Sequence, residues 1–243
     1  MRRPAAVLAA LLALGLGLVA CSEPPPATQV IGRGPEQVTI RRPPDPDATT
    51  VLFLHGWGAP GISFYRPWIE HLVDEGHVVV YPRYQDSFAS LPSLALPNAL
   101  KGIRAAFAQL DVKRLVVVGH SAGGALAADY AAIARTARLP VPAAIMPVYP
   151  GRSLRGVAPT LPELGDERIP HSVRIVALAS RGDRAVGTRT ARAIVRGAGH
   201  GRVVLIDQPG ATDHRAPQRA SAVERQVFWA RLDALLAPRR AAP

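Results

Sequence analysis

Residues 116–130, VVVGHSAGGALAADY, constrain this chain more than any other stretch. Val116, Val117 and Val118 form a β-branched run of the kind that fills an interior parallel strand. From Ala122 onward strong helix formers take over. Between strand and helix stands Ser121, with Gly119 and Gly123 two residues away on either side and Gly124 where the new helix must approach the sheet. A serine on so tight a turn needs neighbours without side chains, because the chain segments around it nearly collide. The G-x-S-x-G spacing is short enough to arise by chance in an ordinary loop. Its meaning depends on what the other strands deliver to the same place.

Beyond residue 50 the chain alternates strand and helix patterns. Strands are expected at 50–54, 77–81, 114–118, 143–148, 173–179 and 202–206, and helices at 64–75, 97–110, 122–136, 188–196 and 217–236. Such alternation implies an α/β fold: a mostly parallel sheet with helices on both faces. Sites in these sheets form outside the carboxyl ends of the strands. The six expected strands run, in order, into His55-Gly56-Trp57-Gly58, Pro82-Arg83-Tyr84-Gln85-Asp86, the serine turn, Tyr149-Pro150-Gly151, Ser180-Arg181-Gly182-Asp183, and a loop ending in Asp213-His214. Every chemically suggestive residue falls on one edge.

A serine hydroxyl is a poor nucleophile at neutral pH and needs a base to take its proton. Of seven histidines, His55 and His120 belong to local turns, while His71 and His77 lie on or beside early elements. His171 and His200 precede strands and so sit at the opposite edge. His214 alone comes after the last strand, which makes it the expected base. The imidazolium needs a carboxylate that also fixes its tautomer. Asp183 comes after the strand between serine and histidine and is the expected acid. Asp207 and Asp213 lie too near His214 in sequence to face its ring, and Asp166 and Glu167 sit in a loop before that strand. Backbone amides of Ala122 and Trp57 are the expected donors to a developing oxyanion. Arg181–Asp183 also spells an adhesion tripeptide, a match too short to carry weight. The chemistry calls for no cofactor and no metal.

With Ser121, Asp183 and His214 in that order and His-Gly-Trp-Gly upstream, the chain resembles the α/β-hydrolase family of serine esterases and lipases, from about Thr49 to Leu236. The resemblance implies an acyl-enzyme mechanism on a small-molecule carboxylic ester. It assigns nucleophile, acid and base to Ser121, Asp183 and His214, and the oxyanion amides to Trp57 and Ala122. Only residues 149–172 separate the strand after the serine helix from the next. They are broken by Pro150, Pro159, Pro162 and Pro170, with room for one helical turn at 161–165. So short a cap cannot form an amphipathic lid, and implies an open site that favours short acyl chains. Trp57, Tyr84, Phe88 and Tyr149 are the side chains available as apolar wall. Same-fold thioesterase or dienelactone-hydrolase-like chemistry, and a binding lipoprotein on a retired hydrolase fold, are the alternatives.

The N-terminus adds an address. Arg2-Arg3 precedes an apolar run, residues 7–20, too short to span a bilayer comfortably, so residues 1–20 read as a signal peptide. Leu18-Val19-Ala20-Cys21 resembles the lipobox of bacterial lipoproteins, with lipid on Cys21, the sole cysteine of the 243 residues. This implies a lipid-anchored protein on the extracytoplasmic side of a bacterial envelope. Residues 21–42, with Pro24-Pro25-Pro26 and further Pro and Gly, read as a tether, with 37–41 as an early edge strand, and the catalytic domain as 43–243. The net charge of +11 is almost all arginine, since Lys101 and Lys113 are the only lysines. A coding bias or attraction to an anionic surface both account for it. Arg189, Arg192 and Arg196 share a helical face, but aromatics do not interleave with basic residues, so no nucleic-acid partner is expected.

Overall fold

The computed structural model of the chain describes residues 26–47, 49–153 and 160–237. The expected signal peptide and Cys21 lie outside the described residues. Strands β1 (Ala27–Ile31), β2 (Val38–Arg42), β3 (Thr49–Leu54), β4 (Val78–Pro82), β5 (Arg114–His120), β6 (Ala144–Val148), β7 (Arg174–Ala179) and β8 (Arg202–Leu205) form one sheet in the order β1-β2-β4-β3-β5-β6-β7-β8. From β4 through β8 all neighbours are parallel, whereas β2 runs antiparallel to both β1 and β4.

The period-2 alternation of the strands divides the core into two layers. Leu52, Leu54, Leu115 and Val117 point to the face covered by α2 (Ala95–Phe107), α3 (Ala122–Ile133) and α4 (Arg189–Ala198). Val51, Phe53, Val116 and Val118 point to the face covered by α1 (Arg66–Asp74) and by the C-terminal segment α5 (Ala222–Glu224) and α6 (Ala230–Leu236). Helix α3 is buried from Ala122 through Ala131. Its alanines let it lie close against the sheet where a bulkier helix would be held off. The expected α/β fold with helices on both faces is the observed one.

Four features differ from the sequence reading. Residues 27–42, assigned to the tether, hold β1 and β2 and belong to the sheet, so the folded unit starts well before residue 43. The strand foreseen at 37–41 is interior, and the exposed edge is β1. The single helix expected at 217–236 is broken into a 3₁₀ turn at Ala216–Gln218, α5, a π turn at Arg225–Trp229, and α6. The restart has a local cause: the Ser221 amide donates to the Glu224 carboxylate and the Glu224 amide donates back to the Ser221 hydroxyl, a capping box that begins a new helix. In the cap, residues 161–165 are not helical, and the one turn described lies at Asp166–Arg168. That cap is pinned by Arg152, whose guanidinium donates twice at 2.9 Å to the buried Asp129 carboxylate of α3 and once at 2.6 Å to the Pro162 carbonyl. No described helix is long and apolar enough to cross a membrane.

Candidate active site

The chain leaves β3 toward β4 on one side and returns across the sheet to β5 on the other, so the strand order reverses between β3 and β5. Crevices at such reversals are where ligands settle in open α/β sheets. The loop after β3 carries Trp57, and the turn after β5 carries Ser121.

Ser121 adopts φ 56° and ψ −119°, a region side chains rarely enter. The flanking glycines explain how it persists. A Cβ on Gly119 would stand 2.0 Å from the Gly123 carbonyl oxygen, and one on Gly123 would stand 2.1 Å from that of Leu54. The turn is tied on both sides: the Ser121 amide donates to the Val148 carbonyl at 2.9 Å, and the Gly151 amide donates to the Ser121 carbonyl at 3.0 Å. Tyr84 (φ 39°) and Tyr149 (φ 47°) carry similar strain just beyond β4 and β6. Three of the four non-glycine residues with positive φ among the described residues thus stand at the strand ends around the serine, the fourth being Arg138 in the loop after α3.

The three side chains singled out for nucleophile, base and acid meet here. His214 Nε2 lies 2.9 Å from Ser121 Oγ, and His214 Nδ1 lies 2.8 Å from Asp183 Oδ2. The other carboxylate oxygen of Asp183 accepts the amides of Ala185 at 2.8 Å and Val186 at 3.2 Å. These bonds aim one oxygen at the histidine, and burial of Asp183 to 1% exposure keeps water from competing. The alternatives are elsewhere: Asp207 is exposed, Asp166 faces Arg152 at 3.9 Å, and Asp213 is gripped by Arg219. His200 sits between the Ala198 and Val173 carbonyls at the far end of the sheet.

The loop that carries His214 is braced. Arg219 donates to both Asp213 carboxylate oxygens at 3.0 and 2.6 Å, to Glu224 at 2.8 Å and to the Gly210 carbonyl at 2.6 Å. The Arg219 hydrogen bond holds the Asp213 carboxyl below the usual carboxylate range. Tyr149 adds a hydroxyl bond to the Ala211 carbonyl. Nothing in the sequence pattern signalled Arg219, although its Asp213 partner adjoins the histidine.

The amides of Trp57 and Ala122 have no hydrogen-bond acceptor among the described residues, and both residues line the crevice that holds Ser121. Gly58, at φ 84°, gives the Trp57 loop its turn, and its amide is held by the Gln85 side chain at 2.9 Å. The Trp57 indole donates to the Phe88 carbonyl at 2.9 Å and steadies the opposite rim. The cavity measures about 290 Å³, and its apolar wall is Trp57, Phe88, Leu91, Leu161 and Val186. Of the wall expected from sequence, Tyr84 and Tyr149 are instead fully buried behind it. Among the described residues no cluster of His, Cys, Asp or Glu could hold a metal ion.

Two further histidines are buried beside the site. Burial pulls His55 down to about 4 and, with the His214 charge adding, His120 down to about 3. Their folded-state values lie below the ordinary 6.5, so the unfolded chain binds protons the folded chain cannot. Stability is therefore full above 6.5 and is lost as pH falls toward 3, by up to about 1.4 kcal/mol per pH unit for each histidine. Asp166, raised to about 6 by burial, and Asp129, raised by burial as well, work in the opposite sense. Denaturant unfolding at pH 7 and pH 5 should differ by roughly 2–3 kcal/mol, with pH 5 the weaker. Equal stability at the two values would contradict the burial of neutral imidazoles.

Comparison with known proteins agrees with this fold. The sequence model of the alpha/beta hydrolase fold matches residues 51–175. Among solved structures, an esterase of Pyrococcus furiosus superposes with a TM-score of 0.62 at 14% identity, covering 86% of this chain and 89% of its own. A carboxyl esterase of the fungus Tuber melanosporum gives 0.63 at 16% identity, with 90% and 86% covered. An esterase of Rhizomucor miehei gives 0.65 at 15%, with 87% and 82% covered. No curated protein matches the sequence. The matched stretch runs from β3 through β6 and includes the Trp57 loop and the turn at Ser121, and the chain belongs to the alpha/beta hydrolase fold family.

Proposed function

We propose that the protein is a serine hydrolase of carboxylic esters working through an acyl-enzyme. The observation that carries this reading is the unbroken line from Ser121 Oγ through the His214 ring to Asp183, at 2.9 and 2.8 Å. In the first half-reaction Ser121 Oγ attacks the ester carbonyl carbon while His214 Nε2 takes its proton. Asp183 stabilises the imidazolium through Nδ1–H. The carbonyl oxygen becomes an oxyanion held by the Trp57 and Ala122 amides. As the tetrahedral intermediate collapses, the alcohol leaves with the proton from Nε2. Water then attacks the acyl-serine with the same base, and the acid departs.

A cavity of about 290 Å³ sits at the small end of the roughly 300–1,000 Å³ common for ligand sites, which favours short acyl chains. In a panel of p-nitrophenyl esters kcat/KM should peak at or below about six carbons, because further CH₂ groups, each worth about 0.8 kcal/mol when buried, outgrow a cavity of that size. A peak beyond ten carbons would refute the short-acyl assignment, and absence of turnover on every ester would refute ester hydrolysis.

The reading includes an anchor. Cys21 in its Leu-Val-Ala-Cys context is the proposed site of lipid, placing the domain on the outer side of a bacterial membrane. Strand β1 begins at Ala27. The intervening residues 22–26 then span at most about 18 Å, so the domain rides close to the lipid surface. Labelling with a palmitate analogue should mark the native protein and not Cys21→Ser. Label retained in that variant would place any lipid elsewhere.

A further inference from the structure

The buried histidine inside the serine turn has a role that the hydrolase mechanism above does not use. His120 Nε2 lies 2.8 Å from the backbone carbonyl of His214, and His120 Nδ1 lies 2.7 Å from the Tyr65 hydroxyl. The same hydroxyl accepts the Gly56 amide at 2.9 Å. These partners allow one assignment of protons. A carbonyl can only accept, so Nε2 carries the hydrogen and donates to His214. Nδ1 is then a lone pair and accepts from Tyr65, whose oxygen in turn accepts from Gly56. The result is a single directed chain: Gly56 N–H to Tyr65 O–H to His120, and His120 Nε2–H to the His214 carbonyl.

The two ends of this chain are the two loops that must be in register for the chemistry. Gly56 immediately precedes Trp57, whose amide is the proposed oxyanion donor. The His214 carbonyl belongs to the proposed base itself. We infer that His120 is a positioning residue which, with Tyr65, braces the base loop against the oxyanion loop and sets where the His214 ring stands between Ser121 and Asp183. The inference rests on the serine-hydrolase reading and adds a residue to it.

The packing leaves the brace little play. A Cβ on Gly56 would meet His120 Nδ1 and the Tyr65 hydroxyl at 3.1 Å each and Ser121 Cβ at 3.4 Å. The His120 and His214 rings lie 4.9 Å apart between centroids, and His120 itself is 3% exposed. Arg219 grips the far side of the same loop through Asp213 and Gly210. The base is therefore held from both flanks. Without the inner brace, the His214 carbonyl is left without its buried donor and the loop can relax toward water.

The test compares substitutions that keep or remove one N–H. A glutamine amide nitrogen reaches about as far as Nε2 of histidine, whereas asparagine stops short and leucine donates nothing. Against p-nitrophenyl acetate, His120→Leu should lower kcat about tenfold to a hundredfold, the cost of a small misplacement of a reacting group. KM should move less than about twofold, since ground-state contacts are untouched. His120→Gln should recover most of the loss and His120→Asn should not. Tyr65→Phe, which frees both Gly56 and Nδ1, should fall between native and leucine. Thermal melts identify variants that are folded, and should the leucine variant fail to fold, the glutamine–asparagine contrast decides. Activity of His120→Leu within about twofold of native, or glutamine as poor as asparagine, overturns the brace while leaving the hydrolase reading intact. Native protein without ester turnover above Ser121→Ala overturns both.

Discussion

Ser121→Ala will reduce ester hydrolysis to no more than about 10³–10⁴ over the uncatalysed rate, the level that binding and oxyanion contacts alone sustain. The size of the loss comes from the geometry. Oγ of Ser121 lies 2.9 Å from His214 Nε2, and alanine leaves that nitrogen no hydroxyl proton to take there. The fold should survive the change. Alanine has the same Cβ, already accommodated at φ 56°, and loses only the hydroxyl. Circular dichroism and thermal melting should be close to native while kcat collapses. Activity above a few per cent of native with unchanged structure would contradict Ser121 as nucleophile.

Asp183→Asn will lower kcat by about 10⁴-fold with little effect on the melting temperature. Asp183 uses one oxygen to accept the Ala185 and Val186 amides and the other to accept His214 Nδ1–H. An asparagine placed in the same cradle keeps its carbonyl on the amides and turns its NH₂ toward Nδ1. The histidine must then present a lone pair at Nδ1 and carry its hydrogen at Nε2, where the serine proton has to go. The tautomer is wrong and the counter-charge is gone. Asp213→Asn removes a partner of Arg219 rather than of the ring, and should cost far less than Asp183→Asn. Kinetics in which Asp213→Asn is the more damaging would move the acid to that residue.

The candidate site was legible because each of its parts is the first loop after a strand. Val116–Val118, the valines at 78–80 and the run at 175–179 identify strands by composition alone, and a parallel sheet puts all their carboxyl ends together. Ser121, Asp183, His214 and Trp57 then converge without any knowledge of distance. The edge of the sheet was harder. β1 is Ala-Thr-Gln-Val-Ile, exposed along its first four residues, and comes directly after three prolines. An exposed edge strand has no buried face to impose alternation, so only its partner β2 reveals it. The break in the C-terminal helix had a readable signal in Ser221-x-x-Glu224, which the apolar periodicity of 223–236 overrode. His120 and Tyr65 had no signal at all. They lie 55 positions apart and meet only because the 3₁₀ turn at Ile62–Tyr65 and the end of β5 approach the same loop. Likewise Arg152 looks like one more arginine in an arginine-rich chain, until Asp129 is seen buried opposite it at 2% exposure.

The central claim is that one serine, Ser121, is activated by His214. The most direct measurement is peptide mapping by mass spectrometry after reaction with a fluorophosphonate, with native protein, Ser121→Ala and His214→Ala treated in parallel. The account predicts one adduct per chain of native protein, on the peptide carrying Ser121. It predicts none on Ser121→Ala, and labelling of His214→Ala slower by several orders of magnitude. An adduct on another serine, or undiminished labelling of Ser121 without His214, would contradict it.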